Sequence, residues 1–160
     1  MSKKSAGIMM YHFEKDRLNI LLGHMGGPFW RNRDDGGWSI LKGEYDESED
    51  PFTAAKREFE EETGMRPEGD FIELNELKQS GGKKIKIWAL EGYCNPSNLT
   101  SNTFEIEWPP KSGKMRRFPE MDRFAWYTIE SARKKILKSQ RQLIDQLCEI
   151  LNHDGSGKNA

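Results

Sequence analysis

Residues 43–65 read Gly43-Glu44-Tyr45-Asp46-Glu47-Ser48-Glu49-Asp50-Pro51-Phe52-Thr53-Ala54-Ala55-Lys56-Arg57-Glu58-Phe59-Glu60-Glu61-Glu62-Thr63-Gly64-Met65. Asp50-Pro51 opens a helix. The aspartate can accept a hydrogen bond from a first-turn N–H, and proline suits the first helical position, where its missing N–H has no partner to lose. Gly64 is the residue type that readily takes the left-handed conformation ending a helix, so the predicted bounds are Pro51 to Thr63. Glu58, Glu61 and Glu62 stand at i, i+3 and i+4, and their carboxylates project from one face. Each like-charge pair costs an isolated helix about 0.2–0.5 kcal/mol. Three on one face are best explained by a cation among them, and hard oxygen ligands favour Mg²⁺ or Mn²⁺. The plainer alternative is an acidic face turned to solvent. On the helical wheel, however, Ala54 and Ala55 lie upstream of the same glutamates, Phe52 and Phe59 form an adjoining core stripe, and Lys56 and Glu60 point away. The acidic face therefore borders the core. The small alanines let the loop from Gly43 to Glu49 pack closely, which brings backbone carbonyls beside the ion.

Working outward, Ala6–His12 and Leu18–His24 are apolar runs around Glu14-Lys15-Asp16, the pattern of a hairpin. A glycine-punctuated loop spans Met25 to Gly37, and Trp38 to Leu41 resumes an extended pattern. After the helix, Phe71–Leu77 and Lys83–Cys94 flank Gly81-Gly82 as a second hairpin. Thr103–Trp108, its return through Met115–Phe118, and Phe124–Tyr127 read as further strands. From Thr128 to about Asn152, Ile136, Leu143, Ile144, Leu147, Ile150 and Leu151 recur at helical spacing, an apolar face packed on the sheet. Residues 153–160 read as a disordered tail, which leaves a single domain over residues 1–152.

Composition narrows the function classes. With 160 residues and 35% hydrophobic content the chain suits one core. Its 25 basic residues against 26 acidic ones leave a net charge of −1, which supplies no global field for nucleic acid. The apolar stretch after Ser5 is interrupted by His12 and Glu14 and is too short for a signal or membrane segment; a cytoplasmic location is expected. Cys94 and Cys148 match neither a zinc spacing nor a disulfide framework and read as buried thiols.

The segment 43–65 resembles the Nudix box at every fixed position. That motif runs glycine, five residues, glutamate, seven residues, Arg-Glu, an apolar residue, any residue, Glu-Glu, any residue, glycine, an apolar residue. Gly43, Glu49, Arg57-Glu58, Phe59, Glu61-Glu62, Gly64 and Met65 fill it, with Glu60 and Thr63 in the free places. Phe59 is aromatic where an aliphatic residue is commoner, and Leu41 stands where proline often precedes the lysine. The resemblance implies the Nudix fold, an α/β/α sandwich around a mixed β-sheet, and a metal-dependent pyrophosphohydrolase. It further implies that Glu58, Glu61 and Glu62 hold the Mg²⁺ or Mn²⁺ ions with the Gly43 carbonyl, while Glu49 and Arg57 brace them. A further carboxylate often precedes the tryptophan of a late strand in the family. Glu120, before Trp126, fits that place as an extra ligand or general base, with Glu105 and Glu107 as competitors.

For substrate contacts, Lys42, Arg31, Arg33, Lys84, Lys86, Arg116 and Arg117 are candidates for phosphate, and Phe29, Trp30, Trp38 and Trp88 for stacking on a base. The segments Gly26–Trp30, Trp38–Gly43 and Ser101–Pro110 are similar to a bacterial Nudix subgroup of predicted nucleotide pyrophosphohydrolases. A nucleoside triphosphate or dinucleoside polyphosphate is the leading substrate class. The alternatives are an RNA 5′ end, which requires a local basic path, and a non-catalytic nucleotide sensor, for which eroded metal positions are expected. A small-molecule nucleotide is the expected partner, and a homodimer is left open.

Overall fold

The computed structural model describes residues 3–155. Strand β1 (Lys4–Glu14) is the centre of the molecule. It pairs antiparallel with β2 (Arg17–Met25) across the tight turn at Lys15 and Asp16, both in the left-handed conformation such turns require. On its other edge β1 runs parallel to β7 (Lys84–Glu91) along nearly its whole length, from Lys4 opposite Lys84 to Tyr11 opposite Glu91. A strand covered on both faces reads as a continuous apolar run, as Ala6 to Tyr11 do.

The first half of β1 and the second half of β2 part, and two short strands fill the gap. β3 (Trp38–Ser39) pairs with β2, and β4 (Leu41–Glu44) pairs with β1, setting Ala6 opposite Gly43 and Gly7 opposite Lys42. The sheet is completed by β5 (Ile72–Glu73) and β6 (Leu77–Lys78), both antiparallel to β7, and by β10 (Met121–Thr128) beside β2. Strands β8 (Thr103–Glu107) and β9 (Met115–Pro119) form a separate two-stranded ribbon.

Helix α1 (Pro51–Thr63) covers one face of the sheet, with Ala54, Ala55 and Phe59 packed on Ala6, Ile8, Leu41 and Leu90. Asp50 accepts from the Thr53 N–H, and Gly64 closes the helix at φ 71°, as the sequence predicts. The opposite face is covered by α2 (Ile129–Lys135) and α3 (Arg141–Leu151), whose Ile129, Ile144 and Leu147 meet Met9, Ile20 and Ile87. This is the expected α/β/α sandwich around a mixed sheet.

The C-terminal segment departs from the single helical run that its periodicity suggests. It breaks between α2 and α3 because backbone and side chains there are claimed by the sheet. The Leu137 N–H donates to the Trp38 carbonyl at 2.8 Å, and the buried Gln140 side chain accepts from the Ile40 N–H at 3.0 Å. The start of the expected tail is also held: the Leu18 N–H donates to the Gly155 carbonyl, and His153 bonds the Asp16 carbonyl. Residues 156–160 of that tail lie outside the described residues. Among the described residues no helix is long and apolar enough to cross a membrane.

Candidate active site

Where β1 and β2 part, a cavity of about 510 Å³ opens. Its floor comes from β4. Alternation along that strand turns Lys42 and Glu44 into the cavity and turns Gly43 toward α1. A Cβ on Gly43 would lie 2.0 Å from the carboxyl carbon of Glu58. Only glycine therefore lets the loop backbone rest on that carboxylate, and Ala54 and Ala55, fully buried, bring the helix in close enough for it to do so.

The carboxylates are tied together by one guanidinium. Arg57 donates through Nε and Nη2 to both oxygens of Glu49 at 2.8 and 2.9 Å, and through Nη1 to Glu58 at 3.0 Å and Glu61 at 3.2 Å. The paired fork clamps the loop to the helix. It holds the Glu49 carboxyl below the usual carboxylate range and raises the guanidinium itself. Glu58 and Glu62 are buried, whereas Glu61 is exposed. Burial raises Glu58, with Arg57 opposing. Burial, reinforced by the charges of Glu58 and Glu120, pushes Glu62 up to about 9.

Among the described residues no three acidic, histidine or cysteine side chains already converge on a single metal-sized point. The residues nonetheless fit a divalent cation. Oε1 of Glu62 is buried without a hydrogen-bond partner, and the Gly43 backbone presses on Glu58 where a side chain would fill the space. A hard cation offers the unpartnered oxygen the charge it lacks.

Glu120 lines the same cavity as Lys42, and each feels the other's charge. It opens to solvent, yet the protein packed around it raises its carboxyl, with Lys42 opposing. Burial lowers the Lys42 amine, and the charge of Glu120 works against that. Glu120 is fixed by its backbone, which accepts from Gly26 and donates to Asn102, both at 2.8 Å. Its competitors lie elsewhere: Glu105 pairs with Arg117 across the ribbon, and Glu107 accepts from the Lys111 and Gly113 N–H groups of the ribbon's turn.

The cavity gathers Lys42, Gly43, Glu58 and Glu120 of the sequence candidates, together with Phe29 and Trp30 from the loop. It does not gather the rest. Trp38 is buried in the core on β3 beside β2, its indole N–H donating to Asp34 at 3.0 Å. Trp88 is packed against Phe52 on the α1 face. Lys86 is engaged by Glu73 and by the Leu74 carbonyl, each at 2.8 Å. Arg31, Arg33 and Arg116 are exposed and do not line the cavity; Arg33 instead lies over the Trp30 ring at 5.5 Å. Sequence reasoning missed Phe104 and Asn102, which reach the cavity from the ribbon end of the chain. Phe104 comes so near Gly27 that a Cβ there would sit 2.8 Å from its ring. No local signal marks such a contact, because its two halves are distant in sequence.

Comparison with known proteins agrees with this geometry. The NUDIX domain profile matches residues 1–147. The fold is similar to that of the C. elegans Ap4A hydrolase in a binary complex, with 21% identity, a TM-score of 0.63, and 93% of this chain and 97% of that one covered. It is also similar to the NUDIX domain of Shewanella oneidensis NrtR complexed with ADP ribose, at 15% identity, a TM-score of 0.63, and 94% and 89% of the two chains covered. A mutT/nudix family protein from Listeria innocua gives 16% identity, a TM-score of 0.60 and 93% coverage of each chain. Among curated proteins, an octanoyltransferase from Myxococcus xanthus is 31% identical over 101 residues, which are 63% of this chain and 25% of that protein, so the chain spans about a quarter of that relative's length. With the profile covering nearly the whole chain, and with Gly43 and Glu58 of the box lining the cavity, the chain belongs to the NUDIX domain family.

Proposed function

We propose that this protein hydrolyses a pyrophosphate linkage in a nucleoside triphosphate or dinucleoside polyphosphate, using Mg²⁺ or Mn²⁺ held by Glu58, Glu61, Glu62 and the Gly43 carbonyl. The observation that carries the reading is the buried carboxylate pair, with Glu58 pressed on Gly43 and Glu62 Oε1 left without a partner. Such an arrangement is costly unless charge of the opposite sign joins it. A divalent ion bound there supplies neutralisation of phosphate charge and a water of lowered pKa.

The chain's own residues do the remaining work. Arg57 fixes Glu58 and Glu61 against the loop through Glu49, which keeps the carboxylates in place as charge develops on the phosphates. Glu120, raised toward neutrality and open to the cavity, is placed to take a proton from attacking water. Lys42 lines the same cavity and would hold a phosphate oxygen. Phe29, Trp30 and Phe104 offer apolar ring surface to a base.

A second reading, action on an RNA 5′ end, is supported by one observation: Lys111, Lys114, Arg116 and Arg117 are all exposed on the ribbon whose base forms the cavity wall. The sensor reading has no such support, since every box carboxylate is present. Incubation with Mg²⁺ or Mn²⁺ and a panel of nucleoside triphosphates, dinucleoside polyphosphates, ADP-ribose and triphosphorylated RNA, with product masses read out, tests the proposal. Full activity in Glu61→Gln, or no cleavage of any substrate, would overturn it.

A further inference from the structure

Lys3 and Lys83 give the cavity positive charge that the reading above leaves unused, and the inference drawn from them rests on that reading. Lys3 and Lys83 line the cavity beside Lys42. Because Lys4 and Lys84 are paired in the parallel β1–β7 ladder, residues 3 and 83 enter those two strands side by side, and the Lys84 N–H donates to the Lys3 carbonyl at 2.9 Å. Lys42 lies on β4, which flanks β1 on its other edge. Lys42 stands opposite Gly7, four residues along β1 from Lys3; with strands about 4.8 Å apart and about 3.3 Å per residue, the three lysines start roughly 10 Å apart across the strands and roughly 13 Å along them.

Among the described residues, carboxylates answer Lys42 more than they answer Lys3 or Lys83. Lys3 has a 3.8 Å contact with Glu44 in which both side chains are exposed. The Lys42 amine feels the carboxylates of Glu120, Glu44 and Glu62 as well as the like charge of Lys83. Three cations facing one concavity raise the local concentration of a polyanion. The rim beside Lys83 is also shaped for close approach. Gly81 and Gly82 both adopt φ of 79°, both are exposed, and the Gln79 N–H closes their turn on the Lys83 carbonyl at 2.7 Å. Consecutive glycines leave that backbone free of side-chain obstruction.

The strand order sets the direction of a ligand. Phe29, Trp30 and Phe104 line the cavity on the β2–β10 side, Glu58 and Lys42 of β4 occupy the middle, and Lys3 and Lys83 lie on the β1–β7 side. We propose that Lys3, Lys42 and Lys83 form a subsite for the phosphate tail that continues beyond the scissile linkage. The protein on this account selects nucleotides bearing three or more consecutive phosphates over those whose diphosphate ends in a neutral group such as a sugar.

The test uses two independent readouts on the wild type and on a Lys3→Ala/Lys83→Ala double variant. The first is calorimetric binding of inorganic tripolyphosphate and pyrophosphate without added metal. The wild type is expected to bind tripolyphosphate the more tightly, and the double variant to lose about tenfold in that affinity, a loss that shrinks at high salt. The second is the ratio of kcat/KM for a nucleoside triphosphate over that for ADP-ribose with Mg²⁺, expected to fall about tenfold in the double variant. Equal binding of the two phosphates, unchanged tripolyphosphate affinity in the variant, or an unchanged selectivity ratio overturns the subsite. Absence of hydrolysis in the wild type refutes the function itself, and the binding measurement still decides the subsite.

Discussion

Replacing Gly43 by alanine adds one methyl group at the point where β4 meets α1. The added Cβ would lie 2.0, 2.2 and 2.4 Å from Cδ, Oε2 and Oε1 of Glu58. Ordinary contact begins near 3.4 Å, so the carboxyl must retreat by at least ~1.4 Å. The helix itself cannot yield, because Ala54, Ala55 and Phe59 are locked into the core. The side chain must swing instead, and it loses the 3.0 Å bond to Arg57 as it does so. A displacement of about 1 Å in a reacting constellation costs roughly a hundredfold in rate, and overpacking costs about 1–3 kcal/mol in stability. Gly43→Ala is therefore expected to lower kcat at saturating Mg²⁺ about a hundredfold and to weaken Mn²⁺ binding, followed by electron paramagnetic resonance. Gly64→Ala serves as the control. It strains a left-handed helix cap with nothing within 4 Å of its Cβ, costs about 1 kcal/mol, and keeps its Mn²⁺ affinity. Wild-type Mn²⁺ affinity and kcat in Gly43→Ala would refute the packing argument and the carbonyl's place in the metal site together.

Other perturbations probe separate contacts. Arg57→Lys keeps the charge but loses the two-point grip on Glu49, and should reduce activity about ten- to a hundredfold with a matching loss of metal affinity. Glu120→Gln should flatten the acidic limb of the kcat/KM profile against pH; an identical profile would remove it as the base. In metal-free protein Glu62 is raised from 4.5 to about 9, so the folded state holds a proton that the unfolded chain releases. That contribution is fully present below pH 4.5 and is lost as pH rises toward 9, at no more than about 1.4 kcal/mol per pH unit. Denaturant titrations in EDTA should show Glu62→Gln gaining on the wild type across that window, and added Mg²⁺ should cancel the gain. Trp38→Phe should cost about 1–2 kcal/mol through the lost Asp34 bond and leave KM within twofold, whereas a large KM change would restore Trp38 to the substrate site.

The site was legible where its signals are local. Asp50, Pro51 and Gly64 bound α1 to the residue, and the i, i+3, i+4 spacing sets Glu58, Glu61 and Glu62 on one helix, with Arg57 in reach of Glu58 and Glu61. The arms of the cavity were not legible, because pairing of distant strands creates them. Lys3 and Lys83 become neighbours only through the β1–β7 ladder, and Phe104 reaches Gly27 only once the ribbon folds back. Trp38 misled because aromatic and charged residues surround it in sequence, yet β3 turns it inward beside β2. Lys86 misled in a similar way, since its partners Glu73 and Leu74 come from the neighbouring β5 segment. The break before α3 has no proline or glycine to announce it; Gln140 and Leu137 are drawn off by β3 and its junction with β4.

The central position of β1 also bears on how activity returns after unfolding. Its hairpin with β2 is a short-range event, but the parallel ladder to β7 has to wait for the middle of the chain, since the helix and the five strands β2 to β6 lie between the two partners. Pairings of that separation are slow to form, because the entropy of closing the loop is spent before any contact compensates it. Helical signal should therefore recover ahead of hydrolysis in a refolding experiment, and the interval between the two would time the closing of that ladder.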